Sequence, residues 1–455
     1  LASPDRSSRV DPREDRGPRA PEPPRRIAAR ADVDAWLAHL TRFGIKLGLE
    51  SVGRLLAALG DPHLRFPSAH VAGTNGKGST AVFLDGLLRA RGLSVGRYTS
   101  PHLEDFRERI AVNGRPIADR DLVRLTARVA AAAAGADPPP TFFEAATAIA
   151  FARFAGREGT RPVDAAVVEV GMGGRFDATN VLVPRVCVIT NVTLEHTAYL
   201  GPTVAAVAGE KAGIVKPGVP VVTGADGEVL AVIRARAAEV GAPLGILGAD
   251  FALEPEAGGT LAYRGPWGAY RGLRPGLAGA HQRANAALAV AAAERFLGGR
   301  LDEPAVRRAL AGARWPGRLE RVRSRPAVVL DCAHNGAAAR ALARHLEATA
   351  AEGPLWLVLG VLADKDFEAV LEPLRPLARR VIVTAPDSDR AGDPAAQAAA
   401  AAKAGTPAGV VLPVSAAVDA AVREAAAAGG RVVVTGSIYT VGEARAHLRG
   451  AARAA

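Results

Sequence analysis

Thr74, Asn75, Gly76, Lys77, Gly78 and Ser79 follow a short apolar run at Ala69, Val71 and Ala72 and precede the apolar-periodic segment Ala81 to Leu88. A strand, a Gly-rich turn with one lysine and a helix start together present backbone N–H groups to phosphate oxygens, with Lys77 adding a point charge. The chemistry expected is the binding of a nucleoside triphosphate, ATP first. The spacing departs from the general P-loop, because only Thr74 and Asn75 separate Gly73 from Gly76 and Gly78 occupies the place of the usual metal-binding hydroxyl. A hydroxyl from elsewhere must then hold the metal. Taken alone, the segment also reads as a turn that only joins strand to helix.

Three further segments carry chemistry. Glu169 stands near the end of the apolar run 163–170, before a Gly-rich segment at 171–180. A carboxylate at a strand end beside a phosphate loop suits Mg²⁺, which takes hard oxygen donors; a salt-bridged strand-end carboxylate is the alternative. His196 lies in the polar turn after 189–192, where a hydrogen-bonded turn histidine is the plainer reading. Lys211 and Lys216 sit beside apolar residues, and helix-end lysines with solvated heads would look the same.

These segments need a scaffold. Strands are expected at 93–98, 163–170, 185–192 and 219–223, with helices at 119–134 and 143–155. Such alternation implies a mostly parallel sheet covered on both faces, with ligand sites at the carboxyl ends of the strands. Residues 250–276 read as short antiparallel strands and 279–298 as a helix, before a break at Trp315-Pro316-Gly317-Arg318. The pattern then restarts, with strands near 327–332, 355–360, 380–384 and 431–436 and helices near 336–350, 366–378, 415–428 and 440–448. The expected class is α/β: a P-loop-type, mostly parallel sheet domain over 31–313 and a smaller Rossmann-like α/β domain over 314–455. Residues 1–30, rich in Pro and Arg, read as a disordered tail.

Composition narrows the function. The 455 residues, 49% of them hydrophobic, suffice for two or three domains. The only cysteines, Cys187 and Cys332, lie in apolar runs, so neither disulfides nor a thiolate cluster is expected and a cytoplasmic location is favoured. No apolar run reaches the roughly 18 residues of a membrane span, and no signal-peptide pattern is present. The net charge of +11 is dispersed and aromatics are only 5%, which favours small anionic substrates over nucleic acid. The chain begins at Leu1 and its only methionine is Met172, so a different natural start is expected.

Read in order, AGTNGKGS (72–79), YTSPHL (98–103), FFEAATAIAF (142–151), EVGMGGRFDATN (169–180), TNVTLEHTAYLG (190–201), GEKAGIVKPG (209–218), WPGRLE (315–320), DCAHNGAAA (331–339), LGVLADKD (359–366) and VVVTGSIYTVGEAR (432–445) resemble the folylpolyglutamate synthase/dihydrofolate synthase family of Mur-type ligases. The resemblance implies an ATP-dependent ligase that joins L-glutamate to dihydropteroate, to the γ-carboxylate of a folate, or to both. It implies that Thr74, Asn75, Gly76 and Lys77, with Gly78 and Ser79, hold ATP phosphates. Ser100 would supply the missing metal hydroxyl, and Glu169 and His196 would complete sites for two Mg²⁺ ions. Lys211 resembles the lysine that this family carbamylates. Asn285 would face the adenine end, while Arg318, Asp331 and His334 would reach the nucleotide from the second domain. Thr141, Phe142, Phe143 and Glu144, with Phe176, Asp177 and Ala178, would line the pteroate pocket. Lys77, Lys211, His196 and Arg318 would carry the catalysis, K⁺ is a further candidate cofactor, and a monomer is the family's default.

Three positions depart from the family pattern. Glu195 stands where Asp is usual, which bears on metal geometry; Gly336 replaces a proline and Cys332 a smaller or β-branched residue, which bear on local packing. A peptidoglycan-type Mur ligase shares the chemistry, but residues 1–34 are too short for its UDP-binding domain. A nucleotide-binding protein without ligase activity would leave the motifs of the second domain unexplained.

Overall fold

The run Ala165–Glu169 is apolar except at its last residue and buried throughout, as is Ser68–Ala72. Strands buried on both faces belong to the middle of a parallel sheet covered by helices, and that is where both lie. The computed structural model describes residues 26–44, 46 and 48–454. Its first sheet contains β1 (Ser68–Ala72), β2 (Val95–Tyr98), β3 (Ile110–Val112), β4 (Arg115–Pro116), β5 (Ala165–Glu169), β6 (Val186–Ile189), β7 (Val221–Thr223) and β8 (Leu244–Ile246), in the order β4-β3-β2-β5-β1-β6-β7-β8. All neighbours from β2 to β8 pair parallel, and β3 and β4 turn back antiparallel at one edge.

Helices Lys77–Arg89 and His281–Leu297 cover one face of this sheet, where Phe83, Leu84 and Leu88 pack with Ala286, Leu288 and Val290. The other face carries Arg30–Leu40, Glu50–Ala58, Asp119–Ala133 and Phe142–Phe154. The last of these is buried almost all round, and its alanines let it lie against strand and helix alike.

A small antiparallel sheet, β9 (Ala252–Pro255), β10 (Leu261–Gly265) and β11 (Gly268–Leu273), follows. It is anchored by Glu294 of helix His281–Leu297, which accepts from the hydroxyls of Tyr263 (2.8 Å) and Tyr270 (2.7 Å). Then come β12 (Glu320–Ser324), β13 (Ala327–Leu330), β14 (Leu355–Leu359), β15 (Ala378–Val383), β16 (Ala408–Val410) and β17 (Arg431–Thr435), in the order β12-β13-β17-β14-β15-β16, parallel except for β12.

Two expectations need correction. The helix expected at 366–378 stops after Phe367–Leu371, a short 3-10 turn follows at Arg375–Leu377, and β15 begins at Ala378. Pro373 and Pro376 remove helix donors and bias their predecessors away from helical ψ. The tail expected over 1–30 lies outside the described residues up to Arg25, but its end does not conform. Ile27 is buried, and Arg30 opens a helix while pairing with Asp105 (3.2 Å) and Asp119 (3.1 Å).

Candidate active site

The loop after β1 turns at Gly73 (φ 143°) and Gly76 (φ 86°), a region of backbone space that favours glycine. Space demands the same residue, since a Cβ on Gly73 would overlap the Thr190 hydroxyl and one on Gly76 the Asn285 amide. The turn is pinned from behind by the segment after β6. Asn75 N–H donates to Asn191 Oδ1 (3.0 Å), Asn191 Nδ2 donates to the Asn75 carbonyl (3.0 Å), and Thr190 Oγ1 donates to that carbonyl as well (2.7 Å). Thr74 Oγ1 accepts from Thr193 N–H (3.1 Å), so its side chain is engaged in holding the loop. Helix Lys77–Arg89 starts there, and Lys77 Nζ folds back onto the carbonyls of Gly73 (2.9 Å) and Thr74 (3.1 Å).

Ser79 and Asn285 are joined through Gln282, which donates to Ser79 Oγ (3.3 Å) and accepts from Asn285 Nδ2 (2.9 Å). A cavity of about 380 Å³ opens beside Gln282, between the start of helix His281–Leu297 and the second half of helix Gly336–Ala348, with Leu277, Arg283, Arg344 and His345 in its wall. Gly78 lies under the Trp315 ring, where a Cβ would come within 3.0 Å of the indole nitrogen.

A second, tighter cavity of about 40 Å³ brings the halves together: Gly78, Ser100 and Glu169 of the first half face Trp315, Arg318 and Ile438 of the second. Glu169 accepts from Ser100 N–H (3.2 Å). Burial raises its carboxyl pKa, against the pull of Lys77, Arg318 and Arg109. Arg109 is itself buried, donates to His102 Nδ1 (2.8 Å) and lies 5.1 Å from the centre of the Phe142 ring.

On the other side of the loop, Lys211 is 1% exposed, and its Nζ contacts Glu195 Oε1 (2.6 Å) and the Gly73 carbonyl (3.1 Å). Burial lowers its pKa to about 8, with Glu195 opposing the shift. Burial works against ionisation of Glu195, yet Lys211 and Lys77 keep its pKa below the usual range. The residue standing in place of the usual Asp is thus the partner of the buried lysine. His196 has left-handed backbone (φ 48°), and burial followed by the charge of Lys365 lowers its pKa.

Arg318 follows Gly317 (φ 69°) and precedes Leu319 (φ 48°), so the turn that carries it is conformationally constrained. Asp331 holds that turn, accepting from Leu319 N–H (2.9 Å) and Ala333 N–H (3.0 Å). Its carboxylate therefore shapes the Arg318 loop in addition to any outward contact. His334 Nδ1 donates to the Cys332 carbonyl (2.9 Å), and burial lowers the ring's pKa to about 4, which leaves Nε2 an acceptor at neutral pH. Asn335 Nδ2 reaches across to Asn75 Oδ1 (3.2 Å), a direct bond between second half and loop. Asn335 also caps helix Gly336–Ala348, so Gly336 serves as an ordinary first helical residue.

The expected pteroate-pocket residues divide. Glu144 and Thr141 form a capping box, with Glu144 Oε2 accepting from Thr141 N–H (2.7 Å), and Glu144 is buried. Asp177 is likewise used internally, accepting from Gly171 N–H (3.0 Å), Met172 N–H (2.9 Å), Thr179 N–H (3.0 Å) and the Thr179 hydroxyl. Ala178 is buried in the core. These four side chains are engaged within the protein, and a direct polar contact of Glu144 or Asp177 with a substrate is not what the geometry favours. Phe142 and Phe143 are half-buried, and Phe176 is 42% exposed; these rings are the surface on offer.

Among the described residues no three His, Cys, Asp or Glu side chains gather at metal-ligating spacing, and no helix is long and apolar enough to cross a membrane. Sequence reading passed over Asn191, Gln282, Trp315 and Arg109. Asn191 was within a quoted motif, but an amide that grips a loop more than a hundred positions away leaves no local signal.

Residues 71–293 match the family model of the Mur ligase middle domain, and residues 317–438 match the Mur ligase, glutamate ligase domain. The dihydrofolate synthase/folylpolyglutamate synthase of Bacillus subtilis (strain 168) is 38% identical over 377 residues, covering 80% of this chain and 87% of that protein. A solved structure of Mycobacterium tuberculosis folylpolyglutamate synthase complexed with ADP and AMPPCP is similar with a TM-score of 0.84 and 39% identity, over 90% of this chain and 97% of that one. A bifunctional folylpolyglutamate synthase/dihydrofolate synthase from Yersinia pestis, complexed with AMPPNP and Mn ion, has a TM-score of 0.82 at 31% identity, over 95% and 100% of the two chains. With both halves matched and full-length likeness in sequence and fold, the chain belongs to the folylpolyglutamate synthase/dihydrofolate synthase family of Mur ligases.

Proposed function

We propose that this chain adds L-glutamate both to dihydropteroate and to the γ-carboxylate of folates, using ATP. The observation that carries the reading is the cavity where Gly78, Ser100 and Glu169 from one half meet Arg318 from the other. A carboxylate is a poor electrophile. Transfer of the γ-phosphoryl of ATP to a carboxylate oxygen releases ADP and gives an acyl phosphate. The glutamate amine then attacks the acyl carbon, loses a proton, and inorganic phosphate departs. Lys77 at the loop and Arg318 across the cleft would neutralise the charge on the transferring group. The N–H groups of Thr74 and Asn75 are taken up by Asn191, so those of Gly76 to Ser79 would hold the phosphates, and the cavity beside Gln282 would take the base and ribose.

Glu169 and Ser100 fit a divalent cation: a buried carboxylate and a hydroxyl are hard donors, and Mg²⁺ commonly binds through one or two protein ligands plus substrate phosphates. Two Mg²⁺ ions are our reading, one held by Ser100 and Glu169, the other by His196 and Lys211 once carbamylated. Bound there, Mg²⁺ supplies charge neutralisation and alignment of the phosphates. For Lys211 the required first event is loss of a proton, which its buried position favours. K⁺ is a further candidate. Phe142, Phe143 and Phe176 would receive the pteroate rings. The same reading takes the chain as a cytoplasmic monomer that acts on small molecules rather than nucleic acid or membrane, with its two ligase units divided at 313/314.

The test is phosphate release with ATP, Mg²⁺ and L-glutamate, comparing dihydropteroate, tetrahydrofolate and no pterin, with products identified by mass. A glutamate mass added to both pterins is expected. Addition to only one assigns a single step, and pterin-independent hydrolysis would overturn the ligase reading.

A further inference from the structure

The two halves also touch where the loop after β2 meets the last helix, Ile438–Ala454. Leu103 of that loop packs into the apolar cluster of the second half with Val441, Cys332 and Leu330. The fit leaves no room for a side chain at Gly442, whose Cβ would overlap the Leu103 carbonyl oxygen. The loop is also stiffened from its own side. Glu108 accepts from Leu103 N–H (2.7 Å), Glu104 N–H (3.1 Å) and Asp105 N–H (3.1 Å).

One guanidinium closes this junction. Arg445 Nε lies 3.0 Å and 2.9 Å from the two carboxylate oxygens of Glu320, while its Nη1 bonds Glu104 of the first half. All three side chains are largely shielded, Arg445 at 13% exposed and the two glutamates at 24%. Glu320 Oε2 in turn accepts from Gly317 N–H (2.8 Å), the residue before Arg318. The chain of contacts therefore runs from the Ser100-bearing loop through Glu104, Arg445 and Glu320 to the turn that carries Arg318. A shielded guanidinium shared by two carboxylates has a fixed geometry that an ammonium does not reproduce.

We propose that Arg445 is a positioning residue: by clamping Glu104 of the first half to the Glu320-held Arg318 turn of the second, it sets the closed arrangement in which Ser100, Glu169 and Arg318 share one cavity. It touches no reacting atom. Its contribution is to keep the cleft shut while an acyl phosphate exists, because water admitted then returns the carboxylate and inorganic phosphate without ligation.

The inference rests on the ligase reading for its activity readout, and the experiment separates the two. Phosphate released per glutamate incorporated is measured for wild type, Arg445→Met, Arg445→Lys, Glu104→Gln and a control, Arg380→Gln, which removes the exposed pair of Arg380 with Glu424. X-ray scattering of each protein without substrates gives its radius of gyration. Wild type and control should release one phosphate per ligation. Arg445→Met and Glu104→Gln should release about two or more, with kcat lowered about tenfold and the KM for ATP changed less than about threefold. Arg445→Lys should fall between. A fold merely weakened at this point would lose active protein but keep the ratio at one. A ratio of one in both Arg445→Met and Glu104→Gln would overturn the proposal, and if Arg445→Met does not fold, Glu104→Gln and Arg445→Lys decide. If wild type shows no glutamate-dependent phosphate release, the ligase reading fails instead. The clamp is then judged by scattering, where an expanded radius in the variants supports it and an unchanged one overturns it.

Discussion

Asn191 gives the sharpest test of how the phosphate loop is built. Its side-chain amide meets both backbone polar groups of Asn75, accepting from the N–H and donating to the C=O, each at 3.0 Å. In Asn191→Ala the Asn75 carbonyl keeps Thr190 Oγ1 at 2.7 Å, and the backbone bond from Thr74 N–H to the Asn191 carbonyl (2.8 Å) survives. What is lost is the partner of one N–H and the second partner of one C=O, worth about 1–2 kcal/mol together. That free energy orders the loop that must cradle the phosphates, so it appears when ATP must find the loop in shape. ATP affinity should fall about 5–30-fold, while the melting temperature barely moves. Asn191→Asp separates two explanations. Its carboxylate can still accept from Asn75 N–H but faces the Asn75 carbonyl where an NH₂ stood, and it adds negative charge beside the phosphate site, so its loss should exceed that of alanine. Calorimetric titration with a non-hydrolysable ATP analogue, alongside kcat/KM for ATP, reads both variants. ATP affinity within about twofold of wild type in Asn191→Ala would refute the reasoning, as would tighter binding by Asn191→Asp than by alanine.

Lys211→Ala should lose ligation, and added bicarbonate should not restore it, since the amine that would take CO₂ is gone; full activity would show that no carbamate is needed. Asp85→Ala leaves buried Arg97, now 2.9 Å from the Asp85 carboxylate, without its charge partner, and should cost about 3–5 kcal/mol in urea unfolding. A loss below about 1 kcal/mol would show that the 5.2 Å stack of Arg97 on Trp315 suffices. His70 is fully buried and its pKa is lowered from 6.5 to about 3 by burial, so the folded state stays neutral where the unfolded chain takes up a proton. Its contribution is complete above pH 6.5 and is lost as pH falls toward about 3, by about 1.4 kcal/mol per pH unit. His70→Asn should flatten the acid limb of a stability–pH curve by that amount, and an unchanged slope would place the titration elsewhere.

Much of this protein is written in local sequence. The runs that became β1, β5 and β6 are largely apolar because both faces of a parallel strand must be buried, and Gly73 and Gly76 mark a turn whatever surrounds it. The quoted motifs carried the family with them, because a chain that repeats so many segments in order has little freedom to fold otherwise. The proline-broken stretch at 366–378 was misjudged by apolar spacing alone, although Pro373 and Pro376 were there to be read. What no window of sequence could decide was which side chains are occupied. Glu144 and Asp177, expected to line the pteroate pocket, satisfy backbone N–H groups in their own turns, and Asp331 braces the loop of Arg318. The partner of Lys211 turned out to be Glu195, and Asn191 and Arg445 acquired roles only through residues 116 and 341 positions away. Periodicity and turn chemistry act over a few residues and are legible there. Hydrogen-bond allegiance and charge pairing depend on distances across the folded chain, which tertiary packing alone brings within a few ångströms.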